Sequence, residues 1–400
     1  MFALYTLLIH CYHFCLRVVS PVSKKASLFI AGRNGQDFLK IRALWPDKRI
    51  VIIHAASYGE FEMSRPLITY LQKRSRDMRF VVVFFSPSGY ERIELDERHF
   101  YKIYLPKDSL SNQEKMLKQI KPEAYFFIKY EFWFNLLRAL NNNKIPYYFM
   151  SLHMPEEHYL FKPIMKPFLD CLRKAERIFT HSENSTRILN EKGFRNVSSF
   201  GDLRVPQVIR NKAESNIEIS WKNPNLKCMV WGSITRKELK PVVHCIKSLP
   251  AFNHILALHD IESKELRFLE SKLPSISLYS SEKTAIEQLL VVDTYGDLKH
   301  LYKYADIAYV GAGFEKGPHN IMEPMIFGAS VIIGPNITKF PFAQLAVHEG
   351  FAYKLEHLNQ LKEAILSEAE NTGMQDKKAR IDFLLSMNPE MNVIDPFIKF

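Results

Sequence analysis

From about residue 48 onward, short apolar runs alternate with amphipathic stretches, and this alternation limits the fold more than any other feature. The runs are RIVIIHAA (49–56), RFVVVFF (79–85), AYFFI (124–128), PYYFMS (146–151) and RIFTH (177–181). Stretches with helical spacing follow most of them, near 60–74, 112–120, 131–141, 160–173 and 183–192. Residues 206–225 are polar and read as a linker. The pattern then restarts with CMVWGS (228–233), HILALH (254–259), LLVVDT (289–294), DIAYVG (306–311) and SVIIG (330–334). Helices are expected over 235–248, 262–272, 297–304, 319–328 and 341–349, with two more over 357–388. Strands that alternate with helices form a parallel sheet covered on both faces. A chain of 400 residues can bury two such cores. The expected fold class is therefore α/β, with two Rossmann-like domains facing a central cleft. Ligands of such sheets gather at the carboxyl ends of the strands.

Residues 2–19 form a different kind of segment, almost wholly apolar. Thr6, His10, His13, Arg17 and Ser20 recur at helical spacing and make one polar stripe. The first charge is Arg17 and no small-residue cleavage site follows, so a cleaved signal peptide does not fit. A hydrophobic anchor helix over 1–22 is expected, either spanning a membrane or lying in its surface with the stripe wet; a helix packed on the protein gives the same pattern. Lys24, Lys25, Arg33, Lys40 and Arg42 follow, which places the rest of the chain in the cytoplasm. One domain is expected over 23–205 and a second over 206–400.

The charge balance is 54 Lys and Arg against 43 Asp and Glu, a net +11. The basic residues are dispersed, without zinc-finger spacing or an RNA-binding signature, so no nucleic-acid partner is expected. An anionic lipid surface or a phosphorylated substrate fits the charge. Five cysteines, Cys11, Cys15, Cys171, Cys228 and Cys245, have the odd count and loose spacing of a reducing compartment. No metal site is expected, because no Cys/His cluster has ligand spacing.

The turns after the apolar runs carry the polar chemistry. In HAASYGEFE (54–62), Ser57 and Gly59 make a turn and Glu60 opens a helix. The helix dipole favours an ionised carboxylate there, which suits a general base and equally suits a plain first-turn residue. FFSPSGY (84–90) places Ser86 and Ser88 in a turn that can hold an anion. In IKYEFWFN (128–135), Glu131 is a candidate to orient substrate or to cap a helix. WGSITRKEL (231–239) puts Gly232, Ser233 and Thr235 between a strand and a helix, as a phosphate cradle or a cap. VGAGFEKGPHNIMEP (310–324) is punctuated by Gly311, Gly313 and Gly317, with His319 and Asn320 at the next helix start and Glu323 one turn on. It is not the dinucleotide-binding glycine pattern. A carboxylate at Glu323 can accept both hydroxyls of a ribose, or it can pair with a structural cap.

Taken in order, these motifs resemble the 3-deoxy-D-manno-octulosonic acid (Kdo) transferase family of lipopolysaccharide assembly. The resemblance also runs through GRNG (32–35), GDLRVPQV (201–208), ALHDIE (257–262), DTYGDLKHLYKYADIAYVGAGF (293–314) and the GP at 334–335, so it covers nearly the whole chain. It implies a GT-B-type fold, with an acceptor domain followed by a nucleotide-sugar donor domain. The implied activity is an inverting, metal-independent transfer of Kdo from CMP-Kdo to a lipid A precursor of the lipid IVA type. CMP-Kdo is the donor substrate and no cofactor is implied; the implied location is the cytoplasmic side of the inner membrane, against its anionic surface. By position Glu60 resembles the catalytic base. Ser57, Gly59, Ser86, Ser88, Lys129 and Glu131 are candidates for the acceptor side. Arg204, Gly232, Ser233, His259, Gly313, Gly317, His319, Asn320 and Glu323 are candidates for binding the donor.

The chain departs from the family pattern in three places. Ala257-Leu258-His259 stands where many members have P-R-H, so an expected arginine is missing. Asp202-Leu203-Arg204-Val205-Pro206 replaces N-L-K-F-D, and Lys129 replaces the first Glu of E-T-E-L-W-P-N. Arg204 or Lys129 is expected to supply the missing charge, unless the departures mark another donor. The rivals are another GT-B transferase or epimerase using a UDP- or ADP-sugar, and a non-catalytic membrane-bound glycolipid-binding homologue.

Overall fold

The computed structural model describes residues 1–261, 263–273, 275–281 and 285–398, without the side chains of Ser88, Arg92 and Ser263. The chain divides into two compact units, Met1–Gln207 with Asn388–Phe400, and Val208–Met387. The first holds strands β1 (Arg49–His54), β2 (Met78–Phe84), β3 (Phe100–Tyr104), β4 (Ala124–Ile128), β5 (Tyr147–Leu152), β6 (Arg177–Thr180) and β7 (Val197–Ser199). They form one sheet in the order β3-β2-β1-β4-β5-β6-β7, and every pairing is parallel. The second holds β8 (Lys227–Ile234), β9 (Phe252–Leu258), β10 (Ile276–Leu278), β11 (Leu289–Val292), β12 (Ile307–Val310), β13 (Ser330–Ile333) and β14 (Ala352–Lys354). Its order is β10-β11-β9-β8-β12-β13-β14, again all parallel.

The apolar runs form these strands because both faces of each sheet are covered, so a strand has no wet side. Along β1, Ile50 and Ile52 enter one core with Val81, Val83, Tyr125 and Phe127. Val51 and Ile53 enter the other with Phe80, Val82, Phe126 and Tyr148. The second sheet divides likewise, Met229 and Trp231 on one face and Cys228 and Val230 on the other. Strand order reverses at β1/β4 in the first sheet and at β8/β12 in the second. The loops leaving a parallel sheet on either side of such a reversal diverge and leave a crevice for ligands.

Three expectations about organisation are corrected. The segment 206–225 is not wholly a linker: the helix Arg204–Ala213 runs through its start, and the unit boundary falls inside that helix. Residues from Asn388 do not belong to the second unit. Ile394 is buried in the first core, Tyr148 donates to the Phe397 carbonyl at 2.9 Å, and Asp395 accepts from Tyr70 at 2.8 Å and pairs with Arg74. The leader forms one helix, Phe2–Val19, long and apolar enough to cross a membrane. Its polar stripe is not simply a wet face. Thr6 accepts from Asn135 at 2.9 Å and Tyr5 donates to Asp108 at 2.6 Å, so these residues face the first unit. Leu4, Leu7, Leu8, Phe14, Val18 and Val19 point outward and are exposed.

Candidate functional site

The first cluster lies at the β1/β4 reversal. Beyond β1 the chain turns through Ala55 and Ala56 to Ser57, which caps the helix Tyr58–Arg74. Glu60 occupies the third helical position and closes a reciprocal box. Its backbone N–H donates to the Ser57 hydroxyl at 3.5 Å, and its carboxylate accepts from the Ser57 N–H at 3.1 Å. Burial pushes the Glu60 carboxyl above its ordinary value, against the pull of Lys129 and of the Ser57 and Ala56 backbone. Lys129 follows β4 in a left-handed conformation, φ 62°. Burial, then Arg204, push its ammonium down, while Asp202 and Glu60 pull it up.

Glu131 is two residues further on, ahead of the helix Phe134–Asn142 and not its cap. It accepts from the Trp133 indole at 2.6 Å and approaches the buried His54 Nε2 at 3.5 Å. Burial, then the charge of Glu60, push it up to about 7. Burial pushes His54 down to about 3, so this imidazole is neutral, with Nδ1 3.0 Å from the Tyr125 hydroxyl. Arg204 completes the cluster by gripping Asp202, its Nε and Nη2 donating at 2.9 and 2.6 Å to one oxygen. Burial would raise the Asp202 carboxyl, but Arg204 and Lys129 outweigh it and hold it below the usual carboxylate range. Ser151, itself at φ 53°, fixes that turn: its hydroxyl donates to the Gly201 carbonyl at 2.8 Å and accepts from Leu203 N–H at 3.0 Å.

The second cluster lies at the β8/β12 reversal and is built mainly from backbone. Gly232 and Ser233 are not in a helix-start cradle as expected; they end β8, where the register breaks and Ser233 adopts φ 56°. The following helix begins only at Leu239. A side chain at Gly232 would fall on the Tyr302 hydroxyl, and one at Gly313 would meet the Gly334 backbone. Buried Glu238 ties the two loops together, accepting from Thr235 N–H at 3.0 Å, Ala312 N–H at 2.9 Å and the Tyr309 hydroxyl at 2.7 Å. Beside it opens a cavity of about 360 Å³, lined in part by Thr235, Leu258, His259, Gly317 and His319. The rings of His259 and His319 are 4.8 Å apart. Arg236, Lys264 and Lys316 also border it, together with Asp260, Glu265 and Glu315, and Glu265 lies 3.8 Å from Arg236 and 3.9 Å from Lys264.

Glu323 stands apart from that lining. It accepts from Asn320 at 3.3 Å, burial pushes it up to about 7, and its charge bears on Tyr302 behind Gly232. The expected 319–328 helix shrinks to Met322–Met325, so His319 does not stand at a helix start.

The structure thus brings together Ser57, Glu60, Lys129 and Glu131 in the first unit, and His259, Gly317 and His319 around a cavity in the second. Arg204, expected among donor residues, belongs to the first cluster and is engaged by Asp202. Lys129 lies there too; within the second unit, Arg236, Lys264 and Lys316 border the same cavity as Leu258. The Ser86 backbone N–H donates to the Ala56 carbonyl at 2.8 Å, which binds its turn to that of Glu60. Gly59 faces open space. The Ser88 side chain and Glu262 lie outside the described residues. Ser151 and His54 were given no role from the sequence, and Asp202 figured only in a departure from the family pattern; Asp202 and Ser151 meet only through a tertiary turn.

Residues 32–207 match the model of the family described as 3-deoxy-D-manno-octulosonic-acid transferase (kdotransferase). The 3-deoxy-D-manno-octulosonic acid transferase of Aquifex aeolicus is 25% identical over 367 residues, 88% of this chain and 88% of that one. Over residues 32–207 the chain is similar to the Kdo transferase family. The Rickettsia felis enzyme of the same name is 23% identical over 306 residues, 73% of this chain and 65% of its own length. A bifunctional glycosyltransferase/methyltransferase of Fusobacterium nucleatum is 23% identical over 390 residues, 93% of this chain and 60% of its own. The chain therefore spans somewhat less than two thirds of the Rickettsia felis and Fusobacterium nucleatum relatives.

Among solved structures, the UDP-GlcNAc 2-epimerase of Neisseria meningitidis aligns with a TM-score of 0.62 at 16% identity, covering 88% of this chain and 99% of that one. The glycotransferase of kitacinnamycin aligns at 0.55 and 13% identity, covering 88% and 100%. These likenesses show that the chain has the GT-B-type fold.

Proposed function

We propose that the chain transfers Kdo from CMP-Kdo to a lipid A precursor of the lipid IVA type, in one inverting displacement without a metal step. The observation that carries this reading is Glu60, a carboxylate fixed by the Ser57 box at a strand-order reversal, beside Lys129. In the proposed step an acceptor hydroxyl oxygen attacks the anomeric carbon of Kdo. The bond from that carbon to the phosphate oxygen breaks, and CMP leaves with the electron pair. Glu60 takes the hydroxyl proton. Glu131, kept partly protonated near neutrality by burial and by Glu60, orients the acceptor through a hydrogen bond. The cavity beside His259 and His319 receives the donor, and Arg236, Lys264 and Lys316 meet the charge that develops on the leaving phosphate. The outward apolar face of the leader and the net charge of +11 suit an enzyme held at the cytoplasmic side of the inner membrane.

Incubation of the purified full chain with CMP-Kdo and lipid IVA, read by mass spectrometry, tests this. The expected result is a glycolipid heavier by Kdo, with an equal yield of CMP. A protein that leaves both substrates unchanged while epimerising or transferring from a UDP-sugar contradicts it.

A further inference from the structure

A second cavity, of about 340 Å³, lies in the first unit between the leader helix and the turn that carries GRNG. Arg17 from the leader, Arg33 from the turn, and Lys107 and Lys115 from beyond β3 border it. No Asp or Glu is among its lining residues. Asp108, next to Lys107, is turned away, its carboxylate taken by Tyr5 and by the N–H groups of Asn135 and Leu136. Among the described residues no ion pair joins Arg17, Lys107 or Lys115 to a carboxylate. Burial and Arg17 push the Lys107 ammonium down, which is the sign of cations gathered without their counter-charge. Arg33 is held rigidly there, donating to the Phe29 and Phe85 carbonyls at 2.9 and 2.8 Å, with its guanidinium 3.4 Å from the centre of the Phe29 ring.

Four cations around one hollow call for an anion with several oxygens. The surroundings say which kind. An adjoining hollow of about 540 Å³ shares His13, Arg17 and Lys107 with the first and is otherwise walled by Cys11, Phe14 and neighbouring leader residues. From there the exposed apolar face of the leader continues through Leu4, Leu7 and Leu8. A polar, cationic hollow opening onto an apolar one matches an amphipathic ligand with a phosphate at one end.

We propose that this cavity binds the phosphate of a membrane phospholipid headgroup, with the acyl chains lying along the outward face of the leader. The site fixes how the first unit meets the bilayer, and it is separate from the cluster around Glu60. It does not depend on the transfer reading, since neither donor nor acceptor is needed to observe it.

The test is flotation of the full chain with phosphatidylcholine vesicles, with and without phosphatidylglycerol. Arg17→Gln/Lys107→Gln/Lys115→Gln is compared with Lys73→Gln/Lys144→Gln/Lys174→Gln, which removes the same charge from exposed positions outside the cavity. The cavity variant should bind the anionic vesicles on the order of 100-fold more weakly, while the control binds like the parent chain. Lys115→Gln alone, at an exposed helix position, should lose about fivefold and serves if the triple variant does not fold. Inorganic phosphate at constant ionic strength should leave the parent melting temperature unchanged. Equal losses in the two triple variants overturn the site, because general surface charge then suffices. Stabilisation by inorganic phosphate that the cavity variant loses, with its vesicle binding intact, also overturns the proposal and assigns the cavity to a soluble phosphate compound.

Discussion

Around Glu60 the first sheet ends in coupled charges: Lys129 is drawn to Glu60 and Asp202 and repelled by Arg204, and Arg204 grips Asp202. At the matching reversal of the second sheet, glycines let backbone segments touch, and the buried carboxylate of Glu238 is spent on backbone and hydroxyl donors. The difference teaches that the same topological position can be built for two tasks. A coupled charge cluster shifts proton affinities and suits a proton transfer. Close-packed backbone beside a hollow suits holding a ligand.

The comparison breaks most sharply at Asp202. Asp202→Asn keeps the shape and removes the charge that compensates Arg204 and Lys129. Loss of one partner from a largely buried pair is expected to cost about 3 kcal/mol, read as a lower thermal midpoint for the first unit. An unchanged midpoint would mean that the cluster is not coupled. Glu323→Ala probes the second cluster. CMP affinity should fall by roughly 1.5–3 kcal/mol if the carboxylate receives a charge-assisted bond. Since Glu323 is not on the cavity wall, unchanged affinity by calorimetry would restrict the donor site to the His259 and His319 side.

A smaller effect sharpens the contrast in proton affinity. Glu131 has its folded value raised from 4.5 to about 7. A carboxyl raised on folding favours the folded state fully below its unfolded value, and that contribution is lost as pH rises through the folded value. Between about pH 4.5 and 7 the parent should therefore lose stability relative to Glu131→Gln. Denaturant titrations across that window check the sign; parallel curves would show that Glu131 titrates normally.

Much of this was legible in the sequence. The strands β1, β2, β4, β5 and β6 follow from apolar runs buried on both faces, and Ser57 and Glu60 from a strand–turn–helix pattern. The strands β3, β7, β10 and β14 carry weaker signals: β7, β10 and β14 are three residues long, and β3 includes Lys102. The placement of Arg204 was not legible, since the pull of Asp202 and the Ser151 turn are tertiary. Nor was the return of Asp395 and Phe397 to the first core, because their partners Tyr70 and Tyr148 are more than 200 residues distant in sequence.

Glu60→Gln tests the central claim most directly. The amide preserves size and a first-turn polar group but cannot take a proton. Turnover with CMP-Kdo and lipid IVA should fall by about 10²–10⁴-fold. CMP affinity should stay at the parent value, and the melting temperature should remain close to it. A variant that turns over near the parent rate, while losing the ~0.5–2 kcal/mol of stability that a helix cap supplies, would make Glu60 a structural residue and contradict the account.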